Sequence, residues 1–446
     1  MIPALLLAVH AFGFQDSVPA ASGDTLTLSI VDVQRRALGQ NPAFLATRQE
    51  TAIAEGALRQ ARLYQFNPEL ALQAVGGGVG GSRRPFELVL TEEIEWAGQR
   101  GLRIGAARMG RSRATAMVQN AGRLTLAAAS AGFYRALAAE RRLSVARDAL
   151  VLTDRLMSAV RTQLTEGEVS TMEANLAEIE AGRSRARVLA ARREATSASL
   201  ELKALLGLTP ETPIRLAGAG GPPAALGEEL PPPVMDEDAL VALALSRRPD
   251  LMASAEAVRE IETLTTLARR SAFPNLRLGA ALERAEGDGS PRLGPAIGLS
   301  LPLFNRNQGL VDQRRALGAQ ARLDQRATIL RIRTDVVEAV RAYRSASEEA
   351  ALYETSVVRP ARANIALLEI AYREGTLDLP TLLLLRNQLL DAEFGYWDAW
   401  LAQREALVRL EAATGALTPS AEALLPLDPD AASGPTPADT SSRTSP

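Results

Sequence analysis

Few side chains in this chain can carry chemistry, and most of those are carboxylates. Glu166 and Glu168 flank Gly167; Glu374 and Asp378 flank Gly375; Glu87, Glu93 and Glu95 alternate along one short stretch. Carboxylates in such groups attract cations and repel anions. Nucleophilic and metal chemistry is poorly served. The 446 residues include no cysteine and one histidine, His10. Disulfides, thiolate catalysis and a lipid-modified cysteine are excluded, and a tight zinc or copper site lacks its usual ligands. No Ser/His or Cys/His set and no phosphate loop is present, so an enzyme is not expected. Gly76-Gly77-Gly78 falls at a strand tip, where a tight turn suffices. Fifty basic residues against 52 acidic leave a formal charge of −2, which implies no general nucleic-acid surface.

The stretch that carries Glu87, Glu93 and Glu95 reads as two strands joined by a glycine-rich tip. Phe86, Leu88, Leu90, Glu92, Ile94 and Trp96 alternate with Glu87, Val89, Thr91, Glu93 and Glu95. Leu70, Leu72 and Ala74 alternate likewise with Glu69, Ala71 and Gln73. Period two is the signature of a strand with one apolar face. The plan recurs: Leu276, Leu278, Ala280 and Leu282, then Ile297, Leu299, Leu301 and Leu303, occupy alternate positions. The landmarks Pro42/Pro249, Pro68/Pro274, Gly101/Gly309, Gly167/Gly375 and Gly207/Gly415 keep an offset of 206 to 208 residues. One supersecondary unit is therefore used twice.

Around the strands the pattern is helical. From Gln99 to about Glu168 no proline interrupts, and Met117, Leu124, Ala131, Ala138, Val145 and Leu152 recur every seven residues. About 65 helical residues would span roughly 95 Å. The second long helix carries the stronger seam, with Ile329, Val336, Tyr343, Ala350 and Val357 at one heptad position and Ile332, Ala339, Ala346 and Tyr353 three residues later. Asn41-Pro42 and Pro360 predict breaks or kinks. Ser29 with Asp32, and Ser170 with Glu173, predict capping boxes.

The expected organisation follows. Residues 1–21 read as a secretory signal cleaved near Ala21, although Lys and Arg are missing before its apolar run. The first repeat covers 26–208, with a strand pair over 68–96 and a helical hairpin over 100–206. A Pro- and Gly-rich linker covers 209–235. The second repeat covers 236–416, with strands over 274–304 and a hairpin over 308–413. Residues 417–446 read as a disordered tail. Beyond the signal, no apolar run of transmembrane-helix length occurs. The expected fold is mainly α with a small β part.

Four strands cannot close a membrane barrel, which starts at about eight, and open edges are not tolerated in lipid. If these strands enter a membrane, several chains must share one barrel in cyclic symmetry. Phe66, Trp96, Phe273 and Phe304 lie at the helix-proximal strand ends, where an interfacial aromatic ring would sit.

At this point the chain resembles the outer membrane efflux proteins, the TolC-like ducts, and within them is most similar to the heavy-metal (CzcC-like) branch. The residues carrying the match are Asn67-Pro68-Glu69-Leu70, Glu95-Trp96-Ala97-Gly98-Gln99-Arg100-Gly101-Leu102-Arg103, Arg248-Pro249-Asp250-Leu251 and Pro302-Leu303-Phe304-Asn305-Arg306-Asn307-Gln308-Gly309, with both turns around Gly167 and Gly375. The likeness runs from about Leu26 to Gly415. It implies a homotrimer with a twelve-stranded barrel and a coaxial α-helical tunnel through the periplasm. It implies a passive duct in the outer membrane lipid, docked to a periplasmic adaptor and an inner-membrane pump, usually of the resistance–nodulation–division type. No cofactor is implied. Lipid anchoring, common in the family, is excluded by the missing cysteine.

The family's adaptor contacts fall here near Gly167, Val169 and Ser170, and near Gly375, Leu377 and Leu379. Glycine permits a tight turn, and exposed Val or Leu would give partner helices an apolar foothold. The tunnel's closed end falls at the same tips, where Glu166, Glu168, Glu374 and Asp378 would form a gate of carboxylates favouring cations. Glu87, Glu93 and Glu95 would face the barrel lumen. Heavy-metal cations are the candidate substrates. Drug efflux or type I secretion stays open, as does a soluble periplasmic coiled-coil scaffold.

Overall fold

A computed structural model of the chain describes residues 25–74, 86–218, 236–284 and 290–415. The expected signal over 1–21 with His10, the glycine tip at 76–78, most of the linker and the tail over 417–446 lie outside the described residues.

The fold is mostly helical. Strand β1 (Leu26–Leu28) leads into α1 (Ile30–Gln40) and α2 (Pro42–Arg62). Ser29 opens α1 with a capping box to Asp32. The break at Asn41-Pro42 is a clean one. Asn41 closes α1 and also caps α2, its Oδ1 accepting from the Phe44 N–H at 3.0 Å, while Pro42 fills a first-turn position that needs no N–H. Strands β2 (Glu69–Ala74) and β3 (Phe86–Ile94) precede α3 (Gln99–Thr165), and α4 (Thr171–Leu205) returns alongside it. At 67 residues α3 is about 100 Å long.

The second half has the same element order. It contains α5 (Glu237–Arg247), α6 (Pro249–Arg270), β5 (Leu276–Arg284), β6 (Arg292–Leu299), and then the long arm α7 (Gln308–Leu352). The arm continues through a π-helical turn (Tyr353–Val358) into α8 (Arg359–Arg373), and α9 (Leu379–Thr414) returns. Pro360 thus follows a locally widened turn, whereas α3 runs without interruption.

One strand pairing escaped the sequence pattern. β1 pairs in parallel with β4 (Ile214–Leu216), which lies inside the stretch read as linker. Three residues are too few to display an alternation. The other four strands form one antiparallel sheet in the order β2-β3-β5-β6. The two hairpins are therefore joined through β3 and β5, and β2 and β6 are the edges.

The main core gathers where the two halves meet. Leu28, Val33, Phe133, Leu137, Leu202, Leu206, Tyr396, Trp397 and Trp400 are buried together, with Tyr134 packed against them. The α7 seam is largely buried, with Ile332 and Val336 at 0 % exposure. The α3 seam is not: Met117 and Leu124 are half exposed, while Ala138 is fully buried. A straight helix of period 3.6 drifts away from a seven-residue repeat over this length.

Candidate functional site: the four-stranded sheet and the hairpin tips

Register decides what each face of the sheet shows. Leu72, Leu88, Leu282 and Leu293 stand in one row, and Leu70, Leu90, Ala280 and Pro295 in the next. Glu92, Leu278 and Ile297, then Ile94, Leu276 and Leu299, continue the same face toward the helices. Paired residues in a sheet point to one side, so this face is a continuous apolar surface broken by Glu92. It is uncovered: Leu70, Leu72, Leu293 and Ile297 are 65–76 % exposed. The opposite face carries Gln73, Glu87, Glu283 and Arg292 in one row and Glu69, Thr91, Gly279 and Ala296 in another. It is polar or built from small residues.

The three strand acids separate. Glu87 is exposed on the polar face, directly opposite Glu283. Glu93, half-buried on that face, accepts from Asn275 Nδ2 at 2.7 Å. Glu95 lies past the end of β3 and is gripped at both oxygens by Arg103, at 2.7 and 3.0 Å. Its side chain is 10 % exposed. β3 stops at Ile94, so the alternation that put Glu95 on the face of Glu87 and Glu93 no longer sets its direction. Trp96, Leu301 and Leu303 likewise fall beyond the strands that the pattern assigned them to.

The aromatic residues do occupy the helix-proximal end. Trp96 donates its indole N–H to the Pro274 carbonyl at 2.7 Å and meets Phe273 edge to face. Trp96, Phe273 and Phe304 are 60, 47 and 91 % exposed, and Phe66 is half-buried. The sequence reading missed Phe86, at the far end of the same face, with the Arg284 guanidinium 5.1 Å from its ring centroid. Alternation had already put Phe86 on the apolar face.

At the opposite pole, both helical hairpins end in the same turn. Gly167 and Gly375 have φ of 78° and 72°. The Gly167 N–H donates to Leu164 and the Glu168 N–H to Gln163; Gly375 and Thr376 repeat this to Tyr372 and Ala371. These are the paired bonds of a left-handed helix stop. Ser170 caps α4 in a capping box with Glu173, and Asp378 caps α9 by accepting from the Thr381 N–H at 3.2 Å. The Ser170 N–H and hydroxyl hold the Glu173 carboxyl below its usual range, against repulsion from Asp378. Glu166, Glu168, Glu374 and Asp378 are all exposed.

The apolar residues at the tips do not match their expected exposure. Leu379 is 2 % exposed, packed with Val160, Ala177 and Leu383, and Val169 leans on the same cluster. These side chains close the joint between the two hairpins instead of offering a foothold. Leu377 is half-buried. The exposed apolar residues nearby are Met172, Leu176 and Ile179 on α4 and Leu384 on α9. Their spacing of four and three residues on α4 was the available sequence signal.

Among the described residues, no group of three or more His, Cys, Asp or Glu side chains could hold a metal ion, and no helix is long and apolar enough to cross a membrane.

The same fold is found in solved structures of outer membrane channels. A membrane protein from Pseudomonas aeruginosa has the same fold at a TM-score of 0.73 and 20 % identity, over 86 % of this chain and 92 % of that one. The MtrE outer membrane channel of Neisseria gonorrhoeae, in its open state, matches at 0.71 and 19 % identity, over 86 % and 88 %. Residues 240–416 match the model of the outer membrane efflux protein family. A curated relative, the cobalt-zinc-cadmium resistance protein CzcC of Cupriavidus metallidurans, is 26 % identical over 275 residues, 61 % of this chain. The match spans 62 % of that relative's length.

Proposed function

We propose that the chain is the outer-membrane exit duct of a tripartite efflux system. The observation that carries this reading is the four-stranded sheet with two unpaired edges, an uncovered apolar face and a polar opposite face. Such a sheet is unfit for lipid alone. Three copies joined edge to edge, β6 of one to β2 of the next, give twelve strands with the apolar face outward and Glu87 and Glu93 inward. The two alike halves then supply pseudo-symmetric helical pairs to a coaxial tunnel, reaching the periplasm after export by an N-terminal signal.

Chemistry in this duct is passive. The pump, of the resistance–nodulation–division type in this reading, supplies the energy, and an adaptor bridges it to the tips. Glu166, Glu168, Glu374 and Asp378 form the periplasmic constriction and favour cations. The likeness to CzcC makes heavy-metal cations the first substrates to test. Adaptor docking centres on the turns at Gly167, Ser170, Gly375 and Leu377; Val169 and Leu379 support those turns from inside.

The deciding experiment is planar-bilayer conductance of the detergent-purified protein, beside a double variant with Glu374 and Asp378 changed to Ala. Trimeric particles with cation-selective steps that the double change weakens are the expected result. A monomer that stays soluble without detergent and never conducts would overturn the reading in favour of a soluble scaffold.

A further inference from the structure

Arg284 is the last residue of β5 and stands on the apolar face. It pairs in register with Phe86, so both side chains project on the side of Leu282 and Leu88. The guanidinium lies 5.1 Å from the Phe86 ring centroid. Its Nε is buried and meets no acceptor among the described residues. Among the described residues, this cation at the edge of an apolar surface is left with one donor unmet.

Its height explains what would complete it. The helices attach at the other end of the sheet, where Trp96 and Phe273 sit. A strand of nine residues, at ~3.4 Å rise and ~40° tilt, carries Arg284 roughly 20 Å beyond Leu276. That is close to the ~25 Å depth of a barrel's apolar band. Phe86 and Arg284 thus mark the far boundary of the band, with the helix-proximal aromatics marking the near one. At that level a lipid presents phosphate. A planar guanidinium on an aromatic ring is suited to a phosphate oxygen pair, because stacking leaves its N–H edge free for bidentate donation.

We propose that Arg284, seated on Phe86, binds the phosphate of an anionic lipid headgroup at the outward end of the sheet. The inference rests on the duct reading, which puts this face in the membrane and the helices in the periplasm. Arg277 supplies the internal control. It lies on the same strand but on the polar face, beside Glu93 and Gly298.

The test uses detergent-purified full-length protein titrated with lipid A, a bisphosphorylated glycolipid, with retained lipid counted by native mass spectrometry. Arg284→Gln should weaken retention about tenfold or more, the scale of losing hydrogen bonds to a charged group. Arg284→Lys should recover part of it, and Arg277→Gln should leave it unchanged. Inorganic phosphate at matched concentration should compete poorly, because the adjoining acyl chains lie on the apolar face. Equal retention by wild type and Arg284→Gln overturns the proposal, as does an equal loss in Arg277→Gln. Phosphate competing as well as the lipid would reduce the site to a simple anion contact and also overturn it. Conductance of each variant in bilayers separates the two readings: a wild type that conducts while Arg284→Gln retains lipid normally sinks only the headgroup site.

Discussion

Arg248 donates through Nη1 to Asp335 Oδ2 at 2.9 Å, joining the start of α6 to α7. The same side chain meets Asp250 twice, at 3.1 and 2.7 Å, and reaches the Ala413 carbonyl near the end of α9. It is 4 % exposed. In the first half Asn41 makes the simpler form of this joint, donating to the Leu205 carbonyl near the end of α4 at 2.9 Å. Both residues precede the proline that opens the second short helix. Removing Arg248 leaves Asp250 half-buried with a weakened set of partners, so Arg248→Ala should cost about 3–5 kcal/mol.

The same joint predicts a pH dependence. Burial pushes the Asp250 carboxyl up, but the hydrogen bonds and charge of Arg248 outweigh it and hold it below the usual carboxylate range. A folded value below the unfolded one means that the stabilisation is complete above the unfolded pKa, about 3.9, and fades as pH falls through the folded value. Thermal midpoints should therefore decline below about pH 4 in the wild type. Asp250→Asn should start lower and lose part of that decline. Parallel profiles for the two proteins would remove Asp250 from the linkage.

Gly279 sits in β5 opposite Thr91, on the polar face. A Cβ there would overlap the Leu90 carbonyl and approach both Cα and the methyl of Thr91 to 2.8 Å, so backbone must yield. Gly279→Ala should disrupt the β3–β5 pairing that links the two hairpins, at a cost of about 3 kcal/mol or more. Gly294 on β6 has open space around it, so Gly294→Ala should be neutral within about 0.5 kcal/mol. Circular dichroism melts of the two variants in detergent provide the comparison. Equal melts would mean that the sheet tolerates a shift at this crossing.

Much of this sheet was legible beforehand, because alternation is a local property. Leu276, Leu278, Ala280 and Leu282 announce their face whatever lies beside them. Their neighbours were not legible, since nothing in either stretch says that Leu90 will stand opposite Ala280. Glu95 shows the same limit of a local pattern. The alternation ran on in the sequence to Trp96, whereas the strand stops at Ile94 and Arg103 draws the carboxylate aside. Gly375 correctly located a turn, but the exposure of Leu379 depends on Val160 and Ala177 arriving from another hairpin. The charged joint at Arg248 was visible only as a short motif, because its partners Asp335 and Ala413 are distant in the chain.

The interruption between α7 and α8 gives a fourth test. Pro360 has no N–H to donate, and its ring crowds the preceding turn of helix. The π-helical turn over Tyr353–Val358 widens the helix just ahead of it. Tyr353 then leans on Gly395 of α9, where an added Cβ would come within 2.6 Å of the ring. Gly395→Ala should cost about 1–3 kcal/mol. Truncating the ring by Tyr353→Leu should reduce that penalty, so the two changes together should be less harmful than their sum. A strictly additive double variant would show that the ring contact is not what the glycine accommodates.

The hairpin tips separate a structural leucine from a surface one. Leu379 is fully packed between the hairpins, against Val160, Ala177 and Leu383, so Leu379→Ala should cost about 2–5 kcal/mol at the tip. Leu377 is half-buried two residues earlier, and Leu377→Ala should cost well under that. Glu374→Ala removes an exposed acid and should leave stability within about 0.5 kcal/mol while still reducing cation preference in a conducting trimer. Hydrogen exchange across residues 156–177 and 372–383 reads the local effect directly. Leu379→Ala should raise exchange in both segments together, because one side chain seals both hairpins. Faster exchange confined to 372–383 would mean that the hairpins are held together higher up, at contacts such as the 2.9 Å bond from Arg187 to Asn387, and that Leu379 serves its own helix alone.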